Sequence, residues 1–501
     1  MARDLRFGVR LGVAVFTGGA VLMALEILST RVLAPRFGSS VYVWGSIISV
    51  FLAALAIGYW WGGRMADRDP TLAGLGRRIA WAAAAVAVVR LAGERAADLL
   101  GAWTGGGPAG TLLAAALLFA PPSLLLATLS PYAVRIAAHD LARVGHTAGG
   151  LYALSTAGSL LGTLGCTFVL IPFLEVPTAL SILLGTTAAT ALVALAGALR
   201  RERWAAGASA ALVLLALVGP PALPSGPEGL VHERTTAHQT LRVVDRGGVR
   251  YLESDGTVHG AVRLADGELA MSYPRGMPAA WLIQPRIERV LVLGLGGGNV
   301  ADYLLASLPD LEIGFVEVDP AVPEVAREWM GFDERTEVAV HVADARRFLE
   351  TAGGESWDLI VADTYIGLSV PFHLTTREFL AEVDRRLAPD GVFAVNLAAD
   401  LDQPFPRAIH RTVAAVFPTV YAFATPTRNH LLFATREPPL PEAELRRRAR
   451  ALDARTRFDP DLETLLARRL DPPAPAAGVP VLTDDYAPVD RLIHLESGDL
   501  P

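Results

Sequence analysis

Val290-Leu-Val-Leu-Gly294-Leu-Gly296-Gly297-Gly298-Asn299 decides the fold class of the chain's second half. A short apolar run bounded by glycines has the length of a buried strand rather than of a helix. The glycines turn the chain and open a helix predicted over 299–308. Without Cβ atoms they let a ligand approach the backbone, where a helix N-terminus offers N–H donors. A plain tight turn explains the same glycines, and two carboxylates downstream strengthen the ligand-binding reading. Glu317 ends the next strand, 23 positions after Gly294, where an acid can grip both ribose hydroxyls. Asp344 comes after the third strand in Ala343-Asp344-Ala345, where it can accept from an adenine amino group. A nicotinamide fingerprint needs glycine at Asn299 and has no place for Asp344, so an adenosyl sulfonium fits better than a dinucleotide.

Working outward, strands are predicted at 290–294, 312–318, 337–342, 357–362 and 391–397, with a closing pair at 418–424 and 430–435. Helices such as 375–388 fall between them. Buried β-rich runs alternating with helices imply a Rossmann-like parallel sheet covered on both faces. Asp363 ends the fourth strand in Trp357-Asp-Leu-Ile-Val-Ala-Asp363-Thr364-Tyr365, on the carboxyl edge where such sheets bind ligands. It stands beside the reacting centre or caps the next turn. Upstream, the turn pairs Gly247-Gly248, Asp255-Gly256 and Asp266-Gly267 predict a small antiparallel sheet. The arginine-rich 445–457 stretch is a solvated helix face.

The first half is a different material. Mean hydropathy is +0.38 over the 501 residues, and the apolar excess lies in 9–223. A spanning helix needs about 20 mostly apolar residues. Seven stretches are candidates: 9–33, 41–62, 78–100, 109–134, 148–172, 174–199 and 204–221. The third is the weakest, because Arg90, Glu94, Arg95 and Asp98 crowd it. The domain plan is therefore a multi-pass helical membrane domain over 1–222, a Pro/Gly-rich linker over 223–230, a small antiparallel β domain over 231–280 and a Rossmann-like, methyltransferase-type domain over 281–501.

Twelve arginines (Arg3, Arg6, Arg10, Arg64, Arg68, Arg77, Arg78, Arg135, Arg143, Arg200, Arg201 and Arg203) gather on one side of the spans and three (Arg31, Arg36 and Arg95) on the other. The positive-inside bias predicts a cell-membrane protein with a cytoplasmic N-terminus. Seven spans then favour an external C-terminal domain. That conflicts with an intracellular cofactor and leaves its side open. Gly158 and Gly162 form a GxxxG pair suited to close helix packing. Glu26, inside the first span, forms a structural hydrogen bond, pairs with Arg31 or carries a proton.

Composition also excludes. No lysine is present, which removes Schiff-base chemistry and a Walker phosphate loop. The single cysteine, Cys166, removes intrachain disulfides and cysteine-based metal sites. A net charge of −7, without basic runs carrying aromatics, argues against a nucleic-acid partner. No metal is expected. Lipid is a partner of the first half, and the sequence leaves a homodimer open.

Residues 231–400 resemble the spermidine synthases, and the whole chain resembles their membrane-fused variant. The resemblance is carried by Ala-His-Gln239, the glycine loop, Val316-Glu317-Val-Asp319, Asp344-Ala345, Asp363-Thr364-Tyr365 and Pro371-Phe-His-Leu374, with Leu482-Thr-Asp-Asp-Tyr-Ala-Pro-Val489 near the end. It implies an aminopropyltransferase taking decarboxylated S-adenosylmethionine (or the intact form) and a polyamine acceptor such as putrescine, and releasing methylthioadenosine. Gln239, Gly294, Gly296, Gly298, Glu317, Asp344 and Ala345 would contact the cofactor, and Tyr273 and Tyr365 the acceptor. Asp363 would take the amine's proton.

Three departures touch the amine half. Gly297 and Ile366 stand where the family has acids, and Tyr273-Pro274-Arg275 replaces a Tyr-His-Glu segment. Two rivals remain: a methyltransferase on the same fold, with Arg275 as the cation for a methionine carboxylate, and a membrane sensor or transporter that binds without turnover. The Gly58–Arg68 stretch resembles a loop of major-facilitator transporters and belongs to the second.

Overall fold

A computed structural model describes residues 2–37, 40–104, 107–138, 144–218, 228–236, 238–333, 337–364, 370–427, 429–470 and 479–494. The chain forms two compact units, one of residues 1–226 with 234–237 and one of the remainder.

The first unit is helical. Six of its described helices are long and apolar enough to cross a membrane: Arg6–Phe37, Val41–Arg68, Leu72–Thr104, Pro108–Ala137, Val144–Phe173 and Val176–Leu195. The seventh predicted span is corrected. Its helix, Arg203–Leu217, has 15 residues, about 22 Å at 1.5 Å per residue, against roughly 30 Å of hydrocarbon. The suspect third span stays one continuous helix of 33 residues. Asp98 near its end pairs with Arg36 at 3.0 Å, both side chains exposed. Glu26 is half-buried.

The glycine pair performs packing. A Cβ on Gly158 would lie 2.0 Å from the Phe16 carbonyl oxygen, and one on Gly162 2.1 Å from that of Ala20. Helix Val144–Gly165 thus lies directly on the backbone of Ala2–Phe37. Gly162→Leu should destabilise this unit by about 1–3 kcal/mol, the usual cost of overpacking. A melting temperature in detergent equal to wild type would remove the close contact.

The second unit holds two sheets. Strands β1 (Leu230–Thr235), β2 (Thr240–Arg246), β3 (Val249–Ser254) and β4 (Thr257–Arg263) form a four-stranded sheet in that order. The pairs β2–β3 and β3–β4 are antiparallel. The larger sheet contains β5 (Arg289–Leu293), β6 (Glu312–Glu317), β7 (Val338–Val342), β8 (Trp357–Ala362), β9 (Leu387–Leu397), β10 (Thr419–Ala424), β11 (His430–Thr435) and β12 (Arg469–Leu470). Its order is β12-β10-β11-β9-β8-β5-β6-β7. Strands β5 to β9 pair in parallel, while β10, β11 and β12 close one edge antiparallel.

Alternate residues of β5 serve opposite cores. Val290 and Val292 pack with Trp281, Leu304 and Phe315, whereas Leu291 and Leu293 pack with Ile360, Phe379 and Phe393. The sheet is therefore covered on both faces, which explains the unbroken apolar strands. From β5 the order runs one way to β6 and β7 and the other to β8 and β9. The crevice between β5 and β8 is a topological switch point, where α/β sheets bind ligands at the carboxyl ends.

Candidate active site

Register builds the site. Leu293 pairs with Val316 on one side and with Ala362 on the other, and Ala362 pairs with Val395. One residue further on, Asn396, Asp363, Gly294 and Glu317 form a single row along the carboxyl edge. The Gly294 N–H donates to the Val316 carbonyl at 2.8 Å, and the Asp363 N–H donates to that of Leu293 at 2.9 Å.

Gly294 has φ +97°, and a Cβ there would lie 2.3 Å from the Asp363 carbonyl oxygen. Gly296 and Gly298 also have positive φ, at +54° and +71°. Strand β4 presses on the loop, since a Cβ on Gly260 would come within 2.8 Å of the Gly297 backbone. Asn299 lies over the same spot. Its Nδ2 donates to the Met330 carbonyl at 2.8 Å, which fixes the amide's orientation. That leaves Oδ1 2.7 Å from where a Gly297 side chain would start.

Glu317 is 8% exposed. Its Oε2 accepts from the Leu295 N–H at 3.1 Å and its Oε1 from the Asp319 N–H at 2.9 Å. Burial raises its pKa above the usual carboxylate range, and these N–H groups oppose the shift. Each oxygen keeps a lone pair for a further donor. Gln239 donates from Nε2 to Asp319 Oδ2 at 3.2 Å and accepts from the Ser254 hydroxyl, so it buttresses this acidic turn. Asp344 caps the helix that begins at Ala345, accepting from the Arg347 N–H at 2.9 Å. His373 Nε2 lies 3.0 Å from its other oxygen. Burial opposes the charged form of Asp344, but the Arg347 N–H and His373 outweigh it and hold the carboxyl low.

Asp363 takes no cap among its described contacts. Tyr273 Oη donates to its Oδ2 at 2.5 Å and Asn396 Nδ2 to its Oδ1 at 3.0 Å. Asn429 Nδ2 supports Asn396 Oδ1 at 3.0 Å, and Thr427 Oγ1 supports Asn429 Oδ1 at 3.1 Å. Burial raises the Asp363 carboxyl above the usual range, partly offset by Tyr273 and Asn396. Asp363, Tyr273, Gly294 and Gly297 line a cleft that also includes His259 and Asn299. His259 Nε2 and Asn299 Oδ1 are buried without a partner, and burial lowers the imidazole to about 4. Tyr365 and Ile366 lie outside the described residues.

A family model described as a methyltransferase domain matches residues 291–393. A polyamine aminopropyltransferase of Vibrio vulnificus is 32% identical over 34% of this chain and 60% of its own. A human eEF1A lysine and N-terminal methyltransferase is 33% identical over 33% of this chain and 25% of its own. The chain thus spans less than two thirds of either relative. Polyamine aminopropyltransferase 2 of Streptomyces coelicolor matches far more, 30% identical over 78% of this chain and 74% of its own. The chain belongs to the polyamine aminopropyltransferase family. This family member has no acid at Gly297, and the neutral Asn299 amide stands there instead.

Sequence reasoning missed His259, Asn299, Asn396, Asn429 and His373 as parts of the site. Of these, His373 lies within the motif Pro371-Phe-His-Leu374 and Asn299 directly follows the glycine loop.

Proposed function

We propose that the chain is a membrane-anchored aminopropyltransferase. It transfers the aminopropyl group of decarboxylated S-adenosylmethionine to an amine and releases methylthioadenosine. The observation that carries the reading is Asp363, a desolvated carboxylate held by Tyr273 and Asn396 in the glycine-loop cleft. Glu317 and Asp344 are assigned to the nucleoside, with Gly294, Gly296, Gly298 and Ala345 shaping its approach and Gln239 bracing the turn. Tyr273 and Tyr365 are assigned to the acceptor.

In the reaction the acceptor nitrogen's lone pair forms an N–C bond to the methylene beside the sulfonium. The C–S bond breaks, and its electron pair leaves on a neutral thioether. The nitrogen's excess proton passes to Asp363. No oxyanion develops, so the site needs positioning and a base rather than an oxyanion hole. A raised Asp363 pKa makes the carboxylate a stronger base.

Methyl transfer is the second reading, favoured by the domain match and the human relative. A methionine tail carries a carboxylate, and no arginine is among the cleft's described lining residues. Arg275 is committed elsewhere, to Asp459 at 2.9 Å and the Leu269 carbonyl at 2.7 Å. Incubating purified protein with either cofactor form and an amine panel separates the readings. Methylthioadenosine is expected, and S-adenosylhomocysteine from the intact cofactor would establish methyl transfer.

Tyr273→Phe removes one donor from the charged carboxylate, so the Asp363 pKa should rise further. A base works above its pKa, and the acidic limb of kcat/KM should therefore move to higher pH. An unmoved limb would show that Tyr273 does not tune Asp363.

Six spans in place of seven reverse the expected side of the second unit. A cytoplasmic N-terminus followed by six spans returns the chain to the cytoplasm, the arginine-rich side to which Arg200, Arg201 and Arg203 belong. The second unit is then cytoplasmic rather than external, and the conflict over cofactor supply disappears. Arg447, with a 76% exposed side chain, offers a labelling site, and Cys166 is buried. Arg447→Cys in intact cells should resist an impermeant thiol reagent and react only after lysis. Labelling of intact cells would overturn the cytoplasmic assignment.

A further inference from the structure

The segment Leu482-Thr-Asp-Asp-Tyr-Ala-Pro-Val489 is absent from the cleft's described lining, yet its first acid ties down the residues around Asp344. Asp484 takes Arg346 as a bidentate fork, with Nη1 donating to Oδ1 at 2.8 Å and Nη2 to Oδ2 at 2.6 Å. The Thr376 hydroxyl donates to the same Oδ1 at 2.7 Å. Arg346 stands two residues after Asp344, on the helix that Asp344 caps. Thr376 stands three residues after His373 and caps the next helix, Arg377–Arg386. One carboxylate therefore joins the two elements that carry Asp344 and His373.

The joint fixes a geometry that a ligand would read. An ionised carboxylate only accepts, so His373 Nε2, 3.0 Å from Asp344 Oδ2, carries the proton of that contact. With the Arg347 N–H on Oδ1, these donors fix how the carboxylate is turned and where its remaining lone pairs point. An adenine amino group would meet those lone pairs. Docking of the segment does not need the Asp484 carboxylate. The Leu482 N–H donates to Thr412 Oγ1 at 2.9 Å, its carbonyl accepts from the Arg377 N–H at 2.8 Å, and Leu482, Val489 and Leu492 are buried. The two helices also meet elsewhere, where Arg386 Nε donates to the Leu349 carbonyl at 2.7 Å. Without Asp484, Glu350 at 3.6 Å from Arg346 Nε would draw the guanidinium along its own helix.

We infer that Asp484 is a positioning residue for adenine recognition, acting through Arg346 and Thr376 on the Asp344–His373 pair. This rests on the assignment of Asp344 to the nucleoside, and the test separates the two.

Calorimetry on the full chain in detergent compares methylthioadenosine with methylthioinosine, which carries an oxygen acceptor in place of the adenine amino group. The wild type should prefer the adenine form by roughly 10–100-fold, the worth of one hydrogen bond to a charged group. Asp484→Asn should lower that preference by roughly threefold or more, a usual coupling within one hydrogen-bond network. A general loosening of the fold would weaken both nucleosides alike and leave the ratio unchanged. Arg346→Met should lower the preference as much, and the double variant little more than either single change. If Asp484→Asn does not fold, Arg346→Lys takes its place with the same expectation, because it keeps the charge but loses the planar fork. A wild type without preference would overturn the adenine assignment of Asp344 and the inference with it. A preference that the variant retains in full, or additive losses in the double variant, would overturn the positioning role alone.

Discussion

Asp363→Asn should lower methylthioadenosine release by about 10²–10⁴ at matched cofactor saturation, the usual worth of a positioned general base. The substitution keeps the side chain's size but removes the charge and basicity. It also reverses one hydrogen bond, because an amide nitrogen cannot accept from both Tyr273 and Asn396. The cleft's described lining contains no second acid to take over. Nucleoside affinity should change little, because Glu317 and Asp344 stand elsewhere on the edge. Equal turnover by mutant and wild type would remove Asp363 from the mechanism. If the wild type turns over no amine yet binds nucleoside tightly, the binding-module rival gains.

Glu317→Ala has the second large effect, on binding rather than turnover. Two charge-assisted hydrogen bonds to ribose hydroxyls are worth about 1.5–3 kcal/mol each. Losing both should weaken methylthioadenosine by roughly 10²–10⁴ at 1.4 kcal/mol per tenfold. The same carboxylate also accepts the Leu295 and Asp319 N–H groups, so its removal leaves two buried donors unanswered. Glu317→Gln separates the effects, because one amide oxygen still accepts while the charge is gone. Calorimetry on the purified full chain measures both variants. Unchanged affinity in Glu317→Ala would show that this residue does not hold the ribose.

The parallel sheet was legible because its strands are apolar without interruption and end on glycine or acid. Strand β9 begins at Leu387, earlier than the predicted 391, because Leu387 pairs with Trp357 across a register shift. That pairing is long-range and leaves no local signal. The seventh span failed for a related reason. Hydropathy counts apolar residues, whereas spanning depends on helix length, and Gly219-Pro220-Pro221 cuts into that run. Acids at strand ends were legible as a site because their charge must be explained. Asn396 and Asn429 carry no charge and no motif, and Asn299 follows the glycine loop as an uncharged amide. Only the register between β8 and β9 brings Asn396 to Asp363. The imidazole of His259 gained meaning only when its nitrogen emerged buried and unpartnered in the cleft.

The crowding around Gly297 couples two positions of the loop. An aspartate at 297 would start 2.7 Å from Asn299 Oδ1, with the Gly260 Cα of β4 3.3 Å from the same point. The Asn299 side chain would have to move to admit it, so substitutions at 297 and 299 should not add. Gly297→Asp should lower the melting temperature less in an Asn299→Gly background than in the wild type, and additive losses would show the two positions to be independent.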